Sequence, residues 1–258
     1  MKLTTSLFAT SFSLLALSSV SSFSYATNGY FAHGYGARNK AMAGAGTAQV
    51  QDAIAAAAIN PAGLVNVGDR LDGELELFAP FRQYSVSNGT HQPQQGEMPL
   101  TAGTQNSESN FFPVGTLGWS HKLDNQQSIG LALYGNGGMN TDWKNVHNAP
   151  GYPGGVFYGG RTGIDMAQAF IVGTYARSFD NNRYSLGISP IFAAQTFKAR
   201  GLGAFSNFSS DPGSVSDRGR DYSFGAGFRV GGQAEIIQGL RLGASYKSRI
   251  YMSQFDRY

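Results

Sequence analysis

Four histidines, no cysteine and 16 carboxylates are the groups with which this 258-residue chain could do covalent or acid–base chemistry. His33, His91, His121 and His147 are scattered along it, and neither G-x-S-x-G nor H-E-x-x-H occurs. Without cysteine there is no disulfide framework and no Cys-ligated zinc or iron–sulfur site. His121 stands beside a short polar turn, away from the loops that hold His91 and His147, so isolated solvated imidazoles explain all of them. No enzyme, metal or cofactor is expected. The chemistry that the spacing does favour concerns the backbone. Gly135-Asn136-Gly137-Gly138-Met139 puts three glycines around one amide side chain. Glycine in a strand weakens pairing and marks a bulge or bend. A local break in a β ladder could open a window there, with Asn136 and Asn60 satisfying the freed groups. The same glycines could simply begin a long loop. Asn60-Pro61-Ala62 is a second candidate, a turn fixed against the wall beside such a window, although Pro61 would end a helix in any case.

The elements that must position these residues follow from composition and period. The chain has 35 Gly, 13% aromatic and only 14% charged residues. Soluble domains average about 25% charged residues and roughly 7% Gly. Mean hydropathy is −0.22, and no mature segment offers the roughly 20 apolar residues of a membrane-crossing helix. The net charge of +3 is dispersed, without a basic block that could track nucleic acid. A Gly-rich, aromatic-rich, charge-poor chain without long apolar runs points to an all-β transmembrane antiparallel barrel. Residues 1–26 carry Lys2, a mostly apolar stretch and Ser24-Tyr25-Ala26, as a secretory signal cleaved between Ala26 and Thr27 does. Residues 27–67 are dominated by Ala and Gly and are expected to pack as a compact helical hatch, with Asp52 capping a helix that runs to Ile59.

From residue 68 onward the period is two. Leu71, Leu75 and Leu77 alternate with Asp72, Glu74 and Glu76, which predicts lipid outside and acids in the lumen if the barrel reading holds. Strands are expected over 71–77, 111–122, 128–136, 164–179, 183–198, 221–236 and 240–252. Short polar turns alternate strictly with long loops at about 88–110, 137–163 and 199–220, as in outer-membrane barrels with short periplasmic turns. Aromatic residues including Trp119, Tyr134, Tyr175, Phe179, Tyr184, Phe197, Tyr222 and Tyr246 lie mainly toward strand ends, as an interfacial girdle would. Seven strands cannot close a bacterial single-chain barrel, which uses an even number. The chain is therefore expected to be an incomplete barrel, either part of a longer sequence or one that needs another chain to close.

Several stretches together resemble the FadL/TodX outer-membrane transport proteins. They are Lys40-Ala41-Met42-Ala43-Gly44-Ala45-Gly46-Thr47, Asp52-Ala53, Asn60-Pro61-Ala62, the run from Pro113 to Gly118, 135–143 and Gly243-Ala244-Ser245-Tyr246-Lys247-Ser248. The resemblance implies a 14-stranded barrel, about seven strands of it here, with residues 27–67 as its plug. It also implies passive uptake of hydrophobic molecules such as long-chain fatty acids. Ligand would be captured among extracellular loops and released sideways through a kink in the third strand, where Gly135 to Met139 lie. Tyr30 and Phe31 would cover or line an apolar pocket, or simply pack the plug. Exposed apolar residues on the long loops, Phe157 and Tyr158 with Leu202, Phe205 and Phe208, suggest capture, and loop self-packing explains them too. The expected partners are hydrophobic small molecules (fatty acids or hydrocarbons), outer-membrane lipid and the barrel assembly machinery, with the full-length protein a monomer. A structural or adhesive barrel and a general porin are the alternatives.

Overall fold

The computed structural model describes residues 31–87, 102–148 and 151–258. The signal segment, the Ala26/Thr27 junction, Tyr30 and His91 lie outside the described residues. Two short helices, α1 (Ala37–Ala41) and α2 (Ala53–Ala58), are followed by a 3-10 turn over Pro61–Asn66. Asp52 caps α2 as expected, its Oδ1 accepting the Ala55 N–H at 2.7 Å. Burial pushes the Asp52 carboxyl above its usual range against the pull of that bond, and the nearby Asp72 and Glu74 add to the rise. Pro61 does more than stop α2. It opens the 3-10 turn at a position that needs no N–H, while Asn60 Oδ1 accepts the Ala62 N–H at 3.1 Å.

The strands are β1 (Arg70–Phe78), β2 (Gln83–Val86), β3 (Gly103–Asn106), β4 (Phe112–Lys122), β5 (Gln127–Asn140), β6 (Gly163–Phe179), β7 (Tyr184–Arg200), β8 (Asp221–Ile237), β9 (Leu240–Lys247) and β10 (Tyr251–Met252). One antiparallel sheet runs in the order β1-β4-β5-β6-β7-β8, with β9 and β10 both paired to β8, and β2 pairs β3 apart from it. Among the described residues the sheet is not closed into a ring. Most boundaries move by one or two residues, the β2–β3 pair is not among the expected strands and puts β3 inside the loop expected at about 88–110, and two boundaries differ further. β5 continues to Asn140 instead of ending at Asn136. The strand expected over 240–252 breaks after Lys247, because Ser248 Oγ accepts the Phe228 N–H at 2.9 Å.

Alternation sorts the faces. Leu71 and Leu75 of β1 are 77% and 81% exposed, whereas Phe170, Val172 and Ala176 of β6 are buried on the other face. Trp119, Tyr175, Phe179, Tyr184, Tyr222 and Tyr246 lie exposed, as a girdle requires. Tyr134 and Phe197 do not: parity turns them inward, Tyr134 to 2% exposure and Phe197 against Phe255 and Tyr258. Lys247 of β9 stands 5.7 Å from the Phe170 ring of β6, although β7 and β8 intervene along the sheet. The sheet therefore curls, and residues 31–67 sit in its concavity.

Two sets of contacts help to seat that segment. The inward acids of β1 each meet it: Asp72 Oδ2 accepts the Ala53 N–H at 3.0 Å, Glu74 Oε1 accepts the Ala37 N–H at 2.6 Å, and Glu76 pairs with Lys40. On the opposite wall two strand glycines make room. A Cβ on Gly231 would stand 1.9 Å from Asn60 Oδ1, and one on Gly187 2.4 Å from the Pro61 carbonyl carbon. Gly173, on the outward face, would meet nothing closer than Pro190 Cγ at 3.8 Å. Gly187→Val and Gly231→Val are each expected to lose about 1–3 kcal/mol by overpacking, with Gly173→Val nearly neutral. Urea midpoints of the folded protein in micelles check this, and equal midpoints for all three would contradict the seating.

Candidate functional site

The glycine cluster of β5 holds a bulge. Gly135 pairs Ala169 and Gly137 pairs Gln168, so Asn136 is an extra residue in the ladder to β6. Beyond it Gly138, Met139 and Asn140 still pair with Ala167, Met166 and Asp165, so these glycines do not begin a loop. One extra residue also reverses the faces: Met139 shares a face with Met166, where unbroken alternation would point it outward.

The other side of β5 is where the ladder fails. β4 pairs β5 only from Lys122↔Ser128 to Leu117↔Leu133. Above that point β4 keeps its partner β1 up to Phe112↔Phe78, and β5 keeps β6 up to Asn140, but the two strands no longer pair with each other. Val114 leans into the opening, its Cγ1 2.9 Å from where a Gly135 Cβ would be. The N-terminal segment covers the free edge. Phe31 forms an antiparallel bridge with Gly137, and the Ala32 N–H donates to Asn136 O at 3.5 Å.

Side chains lock this arrangement from inside. Tyr35 Oη donates to Asn136 Oδ1 at 2.8 Å, Asn136 Nδ2 donates to Gln168 Oε1 at 2.6 Å, and Gln168 Nε2 donates to Gln195 Oε1 at 3.0 Å. Burial pushes the Tyr35 hydroxyl above its usual range, against the nearby Arg229, which keeps it a donor. The Tyr35 and Tyr134 rings lie 4.8 Å apart and Tyr134 meets Phe170 edge-on at 5.8 Å. With Ala57, Ala58, Val172, Ile191 and the flanking Ile250 and Met252 they form an apolar cluster. Two cations border it. Lys247 Nζ sits 5.6 Å from the Phe31 ring centroid, and Arg229 Nη1 donates to Ile59 O at 2.8 Å, leaving its buried Nε without a partner among the described residues.

Asn60, Pro61 and Ala62 are brought elsewhere. Asn60 Nδ2 donates to Thr47 O at 2.7 Å, Gly232 O at 3.1 Å and Ala244 O at 3.4 Å, which places the turn on β8 and β9, away from the β4–β5 opening. Asn60 therefore satisfies wall and segment carbonyls and not the groups freed at the break, because the glycine notches lie on β7 and β8. On the long loops Phe157 meets Phe205 edge-on at 5.0 Å and Tyr158 lies 5.8 Å from Tyr152. Leu202 is half-buried and Phe208 is 86% exposed. Arg161 forks onto Asp142 at 2.7 and 2.5 Å and closes the base of the loop carrying Phe157 and Tyr158. Sequence reasoning missed Tyr35, Tyr134, Phe170, Gln168, Arg229 and Lys247. Strand parity carried forward from the buried face of β6 would have found Phe170 and Gln168.

An antiparallel sheet with an outward apolar face, curled around a small helical segment, defines the class of outer-membrane β-barrel proteins. The model of the family described as outer membrane protein transport protein (OMPP1/FadL/TodX) matches residues 17–258. The chain belongs to that family of outer-membrane transport proteins, which are not enzymes. Among solved structures it is similar to the Pseudomonas putida toluene transporter TodX, with a TM-score of 0.61 and 14% identity over 86% of this chain and 57% of that one. The Ralstonia pickettii toluene transporter TbuX gives a TM-score of 0.61 and 15% identity over 86% and 59%. A Pseudomonas aeruginosa FadL homologue gives 0.52 and 15% over 86% and 53%. At these identities the likeness concerns the fold, and the chain spans less than two thirds of each of those proteins. No curated protein matches the chain.

The Tyr35–Asn136 bond holds the covering segment to the bulge. Tyr35→Phe is expected to weaken that hold by about 1 kcal/mol. A reporter made by Phe31→Cys should then react roughly fivefold faster with a maleimide. An unchanged rate would show that the bond does not retain the segment.

Proposed function

We propose that the full-length protein is a passive outer-membrane channel for hydrophobic molecules, long-chain fatty acids or similar amphiphiles. Residues 27–67 act as its hatch, and residues 68–258 as the first part of the barrel wall. Ligand is captured on the loop aromatics Phe157, Tyr158, Phe205 and Phe208 and on Leu202. It moves past the aromatic cluster of Phe31, Tyr35, Tyr134 and Phe170, and leaves sideways between β4 and β5. The observation that carries this reading is the lost pairing above Leu117↔Leu133, next to the Asn136 bulge. An unpaired strand edge facing lipid leaves backbone groups without partners, each unfavourable by several kcal/mol, and is tolerated only where something covers it. Here the cover among the described residues is the backbone around Phe31, held non-covalently, and lateral release requires it to move aside. Lys247 and Arg229 beside the cluster favour an amphiphile with a negative head over a neutral hydrocarbon. A hatch filling the concavity opposes the general porin, which needs an open lumen. Transfer needs no energy source, since partition from water into lipid drives it.

Deleting Asn136 removes the extra residue and lets β5 run in unbroken alternation, which closes the route itself even though the Tyr35 hold on the cover is lost with it. The deletion protein, once inserted in liposomes, is expected to bind a fluorescent fatty acid at its loops and to release it into the bilayer much more slowly than the parent. Release at the parental rate would remove the lateral route.

A further inference from the structure

The outward face of the sheet carries a row of charge at one level. Asn140 pairs Asp165 and Asp165 pairs Lys198, while Thr196, two residues before Lys198, pairs Tyr222, two residues after Arg220. Asn140, Asp165, Lys198 and Arg220 therefore lie in one line across β5, β6, β7 and the start of β8. All share the face of the exposed Ile171, Phe192 and Phe224. Arg220 forms an ion pair with Asp165, and its Nη1 donates to Thr196 Oγ1 at 3.0 Å. Asn140 Nδ2 donates to Asp165 Oδ1 at 2.9 Å. Lys198 has no ion pair among the described residues. Arg200, farther along β7, is turned to Asp142 at 3.9 Å.

The level of this row follows from the strand below it. The next outward positions on β6 are Ala167, Ala169, Ile171, Gly173 and Tyr175, then Arg177, which lies 5.4 Å from the Phe179 ring. Opposite them on β7 are Thr196, Ala194, Phe192, Pro190 and Ile188, and on β8 Tyr222, Phe224, Ala226, Phe228 and Val230. Between the Asp165 and Arg177 levels none of these is charged. At about 3.3 Å per residue and a tilt of about 40°, the Asp165 and Arg177 levels stand about 30 Å apart, the span of a hydrocarbon core. Asp165 lies at the long-loop end of β6, which is the extracellular end in this class. The row thus sits where the head groups of the outer leaflet begin.

We propose that Lys198 and Arg220, with Asn140, form a docking site on the outer wall for the phosphate of an outer-leaflet glycolipid. Asp165 offsets one of the two cations and orients Arg220, and Lys198 supplies the surplus charge. The apolar rows beneath take the acyl chains. A phosphate in place at this level is bound from both sides, by charge above and hydrocarbon packing below.

Native mass spectrometry of the full-length protein with added lipid A tests the site, using the bisphosphorylated form, a dephosphorylated form and the variants Lys198→Ala, Lys198→Arg and Lys198→Ala/Arg220→Ala. Retention of the bisphosphorylated lipid is expected to fall roughly fivefold for each cation removed and to persist in Lys198→Arg. Lys198→Ala breaks no described contact, so its urea midpoint should match the parent. Equal retention by Lys198→Ala and the parent, or equal retention of the dephosphorylated lipid by the parent, would overturn the proposal.

Discussion

Every backbone N–H and C=O of a strand that faces lipid must find a partner in the protein, and much that is distinctive here depends on a place inside the sheet, between two strands that are otherwise paired, where the sheet does not supply it. Between β4 and β5 the ladder stops at Leu117↔Leu133 while both strands run on, each held only by its far neighbour. The bulge at Asn136 follows just beyond that point, and the backbone at Phe31 and Ala32 takes over part of the missing pairing. That substitute comes from a segment outside the sheet, and its attachments among the described residues include the bridge at Gly137, the Tyr35–Asn136 hydrogen bond, ring packing on Tyr134 and the Lys247 cation beside Phe31. A continuous strand pair would be held by many more.

The rest of the helical segment is fastened differently. Asp72, Glu74 and Glu76 hold it along β1, and Asn60 and Pro61 fit glycine notches on β8 and β7. Removing either kind of contact leaves buried donors or a steric gap, so this body stays in place while residues before Gly36 depend on the weaker cover. Gly34 and Gly36 flank Tyr35, and Gly36 has φ of 87°, a conformation that glycine adopts without strain. Fixed body and releasable cover are thus separated at a backbone position suited to a hinge.

Much of this was legible in the residues. Period two over Leu71 to Leu77 assigned the acids of β1 to the concave face, and the alternation of short and long connections assigned the ends of the sheet. The three glycines around Asn136 marked the bulge, yet not its consequence. A one-residue insertion reverses every later side chain of β5, so the inward face of Met139 could not be read from alternation. The location of Asn60 was also hidden. Asn-Pro-Ala states that a turn is fixed, whereas the wall it meets is chosen by Gly187 and Gly231, more than a hundred residues later. Tyr134 and Phe197 looked like girdle residues because nearness to a strand end says nothing about face. The charged row at Asp165, Lys198 and Arg220 appears only once register aligns three strands.

The central claim is that the cover over β5 must leave for a hydrophobic molecule to pass from lumen to lipid. Phe31 and Gly137 are bridge partners, so Phe31→Cys/Gly137→Cys can be joined by a disulfide without moving either strand. The rate of transfer of a fluorescent fatty acid into the liposome bilayer, measured with the full-length protein oxidised and then reduced, is the direct test. The account predicts loop capture in both states, transfer blocked when oxidised and restored on reduction. Transfer at the same rate in the two states would contradict it.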